Sequence, residues 1–321
     1  MQANQMQANK TQASQTQANQ MQASPTRARF GRVLTAMVTP FNSDGSLDLD
    51  GAQRLARHLT TEGGSDGLVV AGTTGESPTL THDEQIDLIA AVVQAVDKPV
   101  VAGAGSNDTR AAVELSERAA QAGATGLLHV AGYYNRPSQA GLSEHFRACA
   151  QSTDLPILLY DIPTRTGRKI TTETMAELFA DVPNIIGVKD ASANPAETAR
   201  LLAISPEGTE VYSGDDGLTL ALLAIGAVGT IGVATHWIGS EVAEMMGAFF
   251  SGDVDSAAEI NRRLIPSYQF ETGDDAPNPV PTKAMLRVMG LPGGPTRQPM
   301  GPEPEGLEAE ARTVLAALGR S

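Results

Sequence analysis

The chain has 321 residues, of which 41% are hydrophobic and 19% are charged, the profile of a globular protein with a sizeable core. Its formal net charge of −14 argues against nucleic acid and anionic membranes as partners, because both repel an acidic surface. The single cysteine, Cys149, excludes a disulfide within the chain and a cysteine-based metal site.

The compartment is predicted from three features of the sequence. The lone cysteine is typical of a reducing environment. No apolar run reaches the roughly 18 residues of a transmembrane helix, and the N-terminus lacks the apolar stretch of a signal peptide. We therefore expect a cytoplasmic protein with no membrane partner.

The N-terminal segment differs in composition from the rest of the chain. Residues 1–25 form five tandem pentapeptides rich in Gln, Asn and Ala. Such a segment cannot bury a core, so we expect a disordered tail over residues 1–29. An address or interaction segment is the alternative.

Eight short apolar runs bounded by Gly or Pro follow the tail, and amphipathic segments separate them. Their near-continuous hydrophobicity predicts strands buried on both faces of a parallel sheet. The runs are LTAMVTPF (34–41), GLVVAG (67–72), PVVAGAG (99–105), GLLHVAG (126–132), PILLYDIP (156–163), NIIGVKDA (184–191), EVYSGDD (210–216) and GTIGVAT (229–235).

Helix-start signals lie between these runs. They are a capping box of Thr81 and Glu84, then Asn107, Ser138, Thr171 or Thr172, and Asn194 before Pro195. Eight alternating units predict an α/β fold, a (β/α)₈ TIM barrel over residues 30–253. A doubly wound sheet is the alternative, because periodicity does not reveal closure. Helical segments near 256–271, 280–290 and 306–318 predict a C-terminal helical appendage over 254–321.

One lysine stands out among the five in the chain. Lys189 ends an apolar strand, whereas Lys10, Lys98, Lys169 and Lys283 lie in the tail, a strand entry, a polar loop and a C-terminal helix. Active sites of such barrels lie at the carboxyl ends of the strands. Burial there lowers the pKa of an amine and leaves it nucleophilic toward a carbonyl carbon. The alternative is a lysine that pairs with Asp161 or Asp190.

Other polar residues fall at the same predicted end of the barrel. Tyr133, Tyr134 and Tyr160 follow strands and offer hydroxyl groups for proton transfer, which Thr73 would link. The Thr73–Thr74 turn offers donors to an anion, and Arg165 offers a bidentate grip on a carboxylate. Each residue alone is more often structural. We expect Arg168 and Lys169 to be solvated cations of a loop. Asp215 and Asp216 could bind a metal, but the sequence shows no partner carboxylates for such a site.

These residues resemble a known family. GTTGESPT, YYNRPSQ, YDIPTRTG, IIGVKDA, YSGDD and NPVP followed by Lys are similar, in order and spacing, to the dihydrodipicolinate synthase branch of the dihydrodipicolinate synthase/N-acetylneuraminate lyase superfamily. The resemblance covers residues 31 to about 318. As a set these motifs are specific, although GTTGE or a strand-end lysine alone would be a weak signal.

The resemblance implies that Lys189 condenses with pyruvate through an imine, with no metal or other cofactor. It implies a proton relay of Tyr160, Thr73 and Tyr134. The second substrate would be aspartate 4-semialdehyde and the product 4-hydroxy-tetrahydrodipicolinate, in the diaminopimelate and lysine pathway. The implied substrate-binding residues are Thr74, Arg165, Ile231 and Gly214.

The resemblance also implies assembly and regulation. Tyr134 would enter the site of a neighbouring subunit, in a homotetramer built as a dimer of dimers. Lysine-inhibited members use an allosteric pocket at positions that match Ser77, His82, Asn107 and Tyr133. The same pocket has Gln85 in place of a histidine and Ala111 in place of a glutamate. Because that glutamate would hold a lysine amine, we expect weak or absent inhibition by lysine.

Two further departures concern the site itself. Ala131-Gly132 replaces the Thr-Pro that usually precedes the double tyrosine, and a glycine there would loosen the loop. Gly232 replaces the serine of strand 8. Two alternatives to the synthase stay open: another pyruvate-forming Schiff-base lyase or aldolase, of the 2-keto-3-deoxy acid or N-acetylneuraminate type, and a non-catalytic paralogue.

Overall fold

The computed structural model describes residues 28–273 and 275–320. Within them, parallel strands pair in chain order and the last pairs with the first, which closes a barrel. The strands are β1 (Val33–Ala36), β2 (Gly67–Val70), β3 (Val100–Gly103), β4 (Gly126–Val130), β5 (Ile157–Asp161), β6 (Ile185–Asp190), β7 (Glu210–Ser213) and β8 (Gly229–Gly232). Closure confirms the (β/α)₈ barrel and excludes the doubly wound sheet, which has open edges.

Helices cover the outside of the barrel and continue beyond it. They are α1 (Leu49–Thr61), α2 (His82–Ala95), α3 (Thr109–Gln121), α4 (Gln139–Gln151), α5 (Pro163–Thr166), α6 (Thr172–Asp181), α7 (Pro195–Ile204), α8 (Thr219–Ala224), α9 (Thr235–Phe250), α10 (Val254–Phe270), α11 (Val280–Val288) and α12 (Leu307–Ala317). The last three form the predicted C-terminal appendage. None of the helices in the described ranges is both long and apolar enough to cross a membrane.

The predicted helix starts agree with the structure except at one position. Thr81 and Glu84 form a capping box, and Ser138, Thr171 and Asn194 cap their helices through side-chain oxygens. Asn107 does not cap α3, because Asp108 accepts the hydrogen bond from the Arg110 amide instead. Asn107 bonds to the neighbouring loop, and sequence spacing alone does not distinguish two adjacent Asx residues.

Two apolar clusters hold the barrel together. One fills its interior with a side chain or two from most strands, among them Leu34, Val69, Leu158 and Tyr212. The other lies between the strands and the helices and continues into the C-terminal helices. Because that cluster is shared, the predicted boundary at residue 253 stays a prediction. The predicted tail lies outside the described residues, apart from Ala28 and Arg29.

A buried ion pair connects the C-terminal helices to the loop after β2. Lys283 of α11 lies 2.6 Å from a Glu76 carboxylate oxygen, and each side chain is 1% exposed. The other Glu76 oxygen accepts a hydrogen bond from the Arg297 amide at 2.9 Å. Lys283 lies in a C-terminal helix, as predicted, and it is buried there. It compensates the charge of a buried carboxylate two residues after Thr74.

Lys283→Met should lower the free energy of unfolding by about 3–5 kcal/mol, because it leaves the Glu76 carboxylate buried without its cation. Denaturant unfolding at neutral pH measures the change. Lys98→Met is the matched control, since Lys98 is exposed and a surface substitution changes stability by about 0.5 kcal/mol or less. Equal free energies of unfolding for the two variants would show that the Lys283–Glu76 pair does not stabilise the fold.

Candidate active site

Lys189 lies at the carboxyl end of β6, and its side chain enters the barrel. Val188 belongs to the outer apolar cluster, so the strand alternation directs the next side chain inward. Lys189 pairs in register with Tyr160 of β5, and its ammonium nitrogen lies 4.5 Å from the centroid of the Tyr160 ring. With 5% of its surface exposed, Lys189 is a buried amine at the catalytic face of the barrel.

The alternative interpretation of Lys189 as one half of a strand-end ion pair is wrong. Asp161 binds the Lys169 ammonium at 2.7 Å and accepts the Ile170 amide at 3.0 Å. Asp190 accepts hydrogen bonds from the Ser192 amide and from the Thr198 hydroxyl. Both carboxylates that flank Lys189 in the sheet are thus bound by other donors.

A cavity of about 260 Å³ lies in front of Lys189. Its lining includes several predicted site residues, namely Thr73, Thr74, Tyr160, Arg165, Lys189 and Gly214. Among the described residues, no hydrogen bond joins the hydroxyl groups of Thr73 and Tyr160. The structure brings these two hydroxyls to one cavity, and their proton relay stays a prediction.

The turn after β2 places its two threonines differently. Thr73 is half-buried, whereas Thr74 is buried and its hydroxyl accepts a hydrogen bond from the Asn278 amide at 3.0 Å. Asn278 also lines the cavity. It lies in the NPVP motif, but nothing in the sequence shows that this segment folds back onto strand 2. The contact fixes the orientation of Thr74 from outside the barrel.

Gly214 and Ile231 have different positions relative to the cavity. Gly214 lines it, and its amide donates to the Asp190 carbonyl at 2.7 Å. A methyl group at Gly214 would lie 3.0 Å from two carbons of Lys189 and 2.9 Å from Ala191. Ile231 is fully buried in the interior cluster and is not among the lining residues. Its implied substrate contact stays a prediction.

Arg165 lies between this cavity and a second one of about 350 Å³, and it lines both. Its side chain is exposed, as expected of a residue at a site entrance.

The interpretation of Lys169 as a solvated loop cation was wrong, since Lys169 neutralises buried Asp161. Arg168 is half-buried and donates to the Arg136 carbonyl at 3.1 Å.

The second cavity contains most of the predicted allosteric residues. Ser77, His82 and Tyr133 line it, together with Gln85, whose side chain donates to the Ser77 carbonyl at 3.0 Å. Asn107 is not among the lining residues, and its side-chain amide donates to the Tyr133 carbonyl at 3.5 Å. The structure therefore brings Ser77, His82 and Tyr133 to one cavity. The weak or absent inhibition by lysine stays a prediction.

Tyr134 is not part of the cavity of its own chain. Its side chain is 92% exposed, and its φ of +68° lies in the left-handed region that is costly for a tyrosine. Hydrogen bonds within the loop and from Asn135 to the Asn107 carbonyl, at 2.9 Å, hold this segment. The looser loop expected from Ala131-Gly132 stays a prediction.

Two acids that the sequence did not assign lie at the wall of the cavity. Asp216 and Glu271 are buried, and both line the cavity. Burial raises the pKa of both, and the neighbouring Asp216 charge raises the pKa of Glu271 further, to well above its usual range. Among the described residues no group of three His, Cys, Asp or Glu side chains is placed to hold a metal.

Comparison with known proteins agrees with this geometry. A profile of the Dihydrodipicolinate synthetase family matches residues 29–318. The 4-hydroxy-tetrahydrodipicolinate synthases of Moorella thermoacetica and Acidothermus cellulolyticus are each 51% identical, over 90% and 91% of this chain and 97% and 94% of theirs. The chain belongs to the dihydrodipicolinate synthetase family. This membership confirms the resemblance found in the motifs.

A solved structure of the family is also similar. The crystal structure of dihydrodipicolinate synthase from Cyanidioschyzon merolae, with lysine bound, matches with a TM-score of 0.87 and 43% identity. The match covers 90% of this chain and 98% of that one. The barrel and its C-terminal helices are therefore both family features.

Gly214→Ala should slow reductive trapping of pyruvate on Lys189 by roughly tenfold to a hundredfold, because the added methyl group displaces the lysine side chain. Trapping with borohydride followed by mass spectrometry measures the rate. Gly247→Ala is the matched control, since a methyl group at that exposed helix position meets no atom within 4 Å. A trapping rate for Gly214→Ala equal to the control rate would contradict the steric argument.

Proposed function

We propose that the protein is a 4-hydroxy-tetrahydrodipicolinate synthase, a lyase that condenses pyruvate with aspartate 4-semialdehyde through an imine on Lys189. The observation that carries this proposal is the buried Lys189 amine, which faces a cavity while both neighbouring carboxylates bind other donors. Family membership over residues 29–318 and two relatives of that name at 51% identity support the same activity.

The chemistry assigns a role to each residue of the cavity. The neutral Lys189 amine attacks C2 of pyruvate, and loss of water leaves a protonated imine. That imine accepts the electron pair released when C3 loses a proton, and the resulting enamine attacks the aldehyde carbon. Tyr160 and Thr73 are placed to carry protons for these steps, with Thr74 donating to the pyruvate carboxylate. The reaction needs no metal or added cofactor.

The arrangement also has a place for the second substrate. Arg165 is exposed at the entrance and lines the cavity, so its guanidinium can bind the carboxylate of aspartate 4-semialdehyde. Main-chain groups near Gly214 and Ile231 would complete the inner part of the site. The reaction product enters the diaminopimelate and lysine pathway, and we propose that the enzyme acts in the cytoplasm.

Tyr134 supports a homo-oligomer as the working form. The Tyr134 side chain is exposed, although its backbone has the left-handed conformation that is costly for a tyrosine. We infer that Tyr134 enters the site of a second subunit and joins its proton relay, in a dimer that pairs again to a tetramer. The loop would then owe its conformation to the subunit interface.

Incubation with pyruvate and borohydride should add mass to a peptide that contains Lys189, and Lys189→Ala should remove the adduct. Lys283 serves as an internal control because it is also buried but does not line the cavity. Aspartate 4-semialdehyde should then be consumed with pyruvate under turnover conditions. If no adduct formed, the proposal of a Schiff-base enzyme would be refuted. If the protein instead turned over a 2-keto-3-deoxy acid or N-acetylneuraminate, the result would favour another lyase.

Arg165→Ala should lower kcat/KM for aspartate 4-semialdehyde by roughly tenfold to a hundredfold, because a charge-assisted hydrogen bond contributes about 1.5–3 kcal/mol. Pyruvate trapping should fall less, since the imine forms deeper in the cavity. Steady-state kinetics and trapping rates measure both effects. Arg110→Ala, at a 94% exposed arginine, controls for the loss of one positive charge. An equal loss in both half-reactions would contradict the assigned role.

A further inference from the structure

The position of Arg165 is set by its backbone and not by partners of its side chain. The residue is exposed and lines the cavity in front of Lys189. Among residues 28–273 and 275–320, no side chain or carbonyl forms a hydrogen bond or an ion pair with its guanidinium group. The place of that group therefore depends on the segment between β5 and α6, residues 162–171, which we call the Arg165 loop.

The Arg165 loop begins with a single helical turn. The Arg165 and Thr166 amides both donate to the Ile162 carbonyl, each at 3.0 Å. The Gly167 amide donates to the Pro163 carbonyl at 2.9 Å. Gly167 ends the turn with a φ of +69°, in the left-handed region that glycine adopts without strain. The chain can therefore leave the turn sharply and return to the strand end at which the loop began.

The far end of the loop is bound to Asp161, the last residue of β5. One Asp161 oxygen, Oδ2, lies 2.7 Å from the Lys169 ammonium nitrogen. The other, Oδ1, accepts a hydrogen bond from the Ile170 amide at 3.0 Å. The Asp161 side chain is fully buried, whereas that of Lys169 is 32% exposed. One buried carboxylate thus joins the two ends of the Arg165 loop.

The ion pair favours one conformation of the loop for an electrostatic reason. Because Asp161 is buried, a conformation in which Lys169 turns away leaves an uncompensated anion in the barrel, and such a charge is costly. Gln139 of α4 holds the backbone on both sides of this pair. Its amide nitrogen donates to the Lys169 carbonyl at 2.8 Å, and its oxygen accepts the Thr171 amide at 3.0 Å. Both the side chain and the backbone of Lys169 are therefore fixed.

We propose that Lys169 is a positioning residue for Arg165: its ion pair with Asp161 fixes the Arg165 loop, and so the place at which the guanidinium binds the carboxylate of the second substrate. The inference rests on the proposed function, in which that substrate is aspartate 4-semialdehyde. Lys169 is not among the residues that line the cavity. Its loss should therefore weaken binding of the aldehyde and leave imine formation on Lys189 unchanged.

The test compares Lys169→Met with Lys98→Met, which removes the same charge from an exposed position just before β3. Lys169→Met should raise the KM for aspartate 4-semialdehyde by about tenfold, because a small misplacement of a binding group is enough for such a loss. Its kcat, and its rate of borohydride trapping with pyruvate, should stay within about twofold of the unaltered values. Lys169→Arg keeps the cation and should restore most of the original KM, and Lys98→Met should change neither quantity.

A double variant separates positioning from general destabilisation. If Lys169 acts through Arg165, Lys169→Met should change kcat/KM for the aldehyde by less than about twofold once Arg165 is alanine. A merely structural role predicts that the two losses multiply. Gln139→Ala loosens the same loop without removing a charge, so it should also raise the aldehyde KM and keeps the test decisive if Lys169→Met does not fold.

The failure of this inference differs from the failure of the proposed function. An unchanged aldehyde KM in whichever of Lys169→Met and Gln139→Ala folds would overturn the positioning role, and so would a full Lys169→Met loss in the Arg165→Ala background. An unchanged aldehyde kcat/KM in Arg165→Ala itself, or an absent Lys189 adduct in the unaltered protein, would instead overturn the proposed function.

Discussion

The site depends on one constraint, the separation of Lys189 from the two carboxylates beside it in the sheet. Asp161 and Asp190 end β5 and β6, yet one binds Lys169 and the other binds Thr198 and the Ser192 amide. An ammonium group in direct contact with a carboxylate would stay charged and unreactive. Because other donors occupy these acids, the amine faces the cavity and the Tyr160 ring instead.

The C-terminal segment supplies the second requirement, which is the orientation of the groups around Lys189. Asn278 binds the Thr74 hydroxyl, and Lys283 pairs with Glu76. Each contact joins a residue beyond the eighth barrel helix to a loop at the carboxyl ends of the strands. The appendage is therefore a part of the site and not only a cover for the barrel.

The sequence predicted the barrel well because each strand overlaps a short apolar run, and because start signals at Thr81, Ser138, Thr171 and Asn194 mark several of the helices between the strands. The sequence predicted that Lys189, Tyr160 and Thr73 lie together, because strand ends are recognisable and the active sites of barrels lie at the carboxyl ends of the strands. The structure places all three at one cavity, and their catalytic roles stay predictions. Asn278 and the Lys283–Glu76 pair were missed, since their partners lie more than 200 residues away along the chain and become adjacent only after folding. Asn107 was misplaced by one residue because two neighbouring side chains offer the same oxygen acceptor.

The ion pair between Lys283 and Glu76 affects when the site can form during synthesis of the chain. Synthesis proceeds from the N-terminus, so the ribosome makes all the strands before α11. Until α11 emerges, the Glu76 carboxylate lacks its cation and the Thr74 hydroxyl lacks Asn278. A nascent or truncated chain thus holds Lys189 without a finished pocket around it. The pocket around the reactive amine is therefore finished only after α11 has been synthesised.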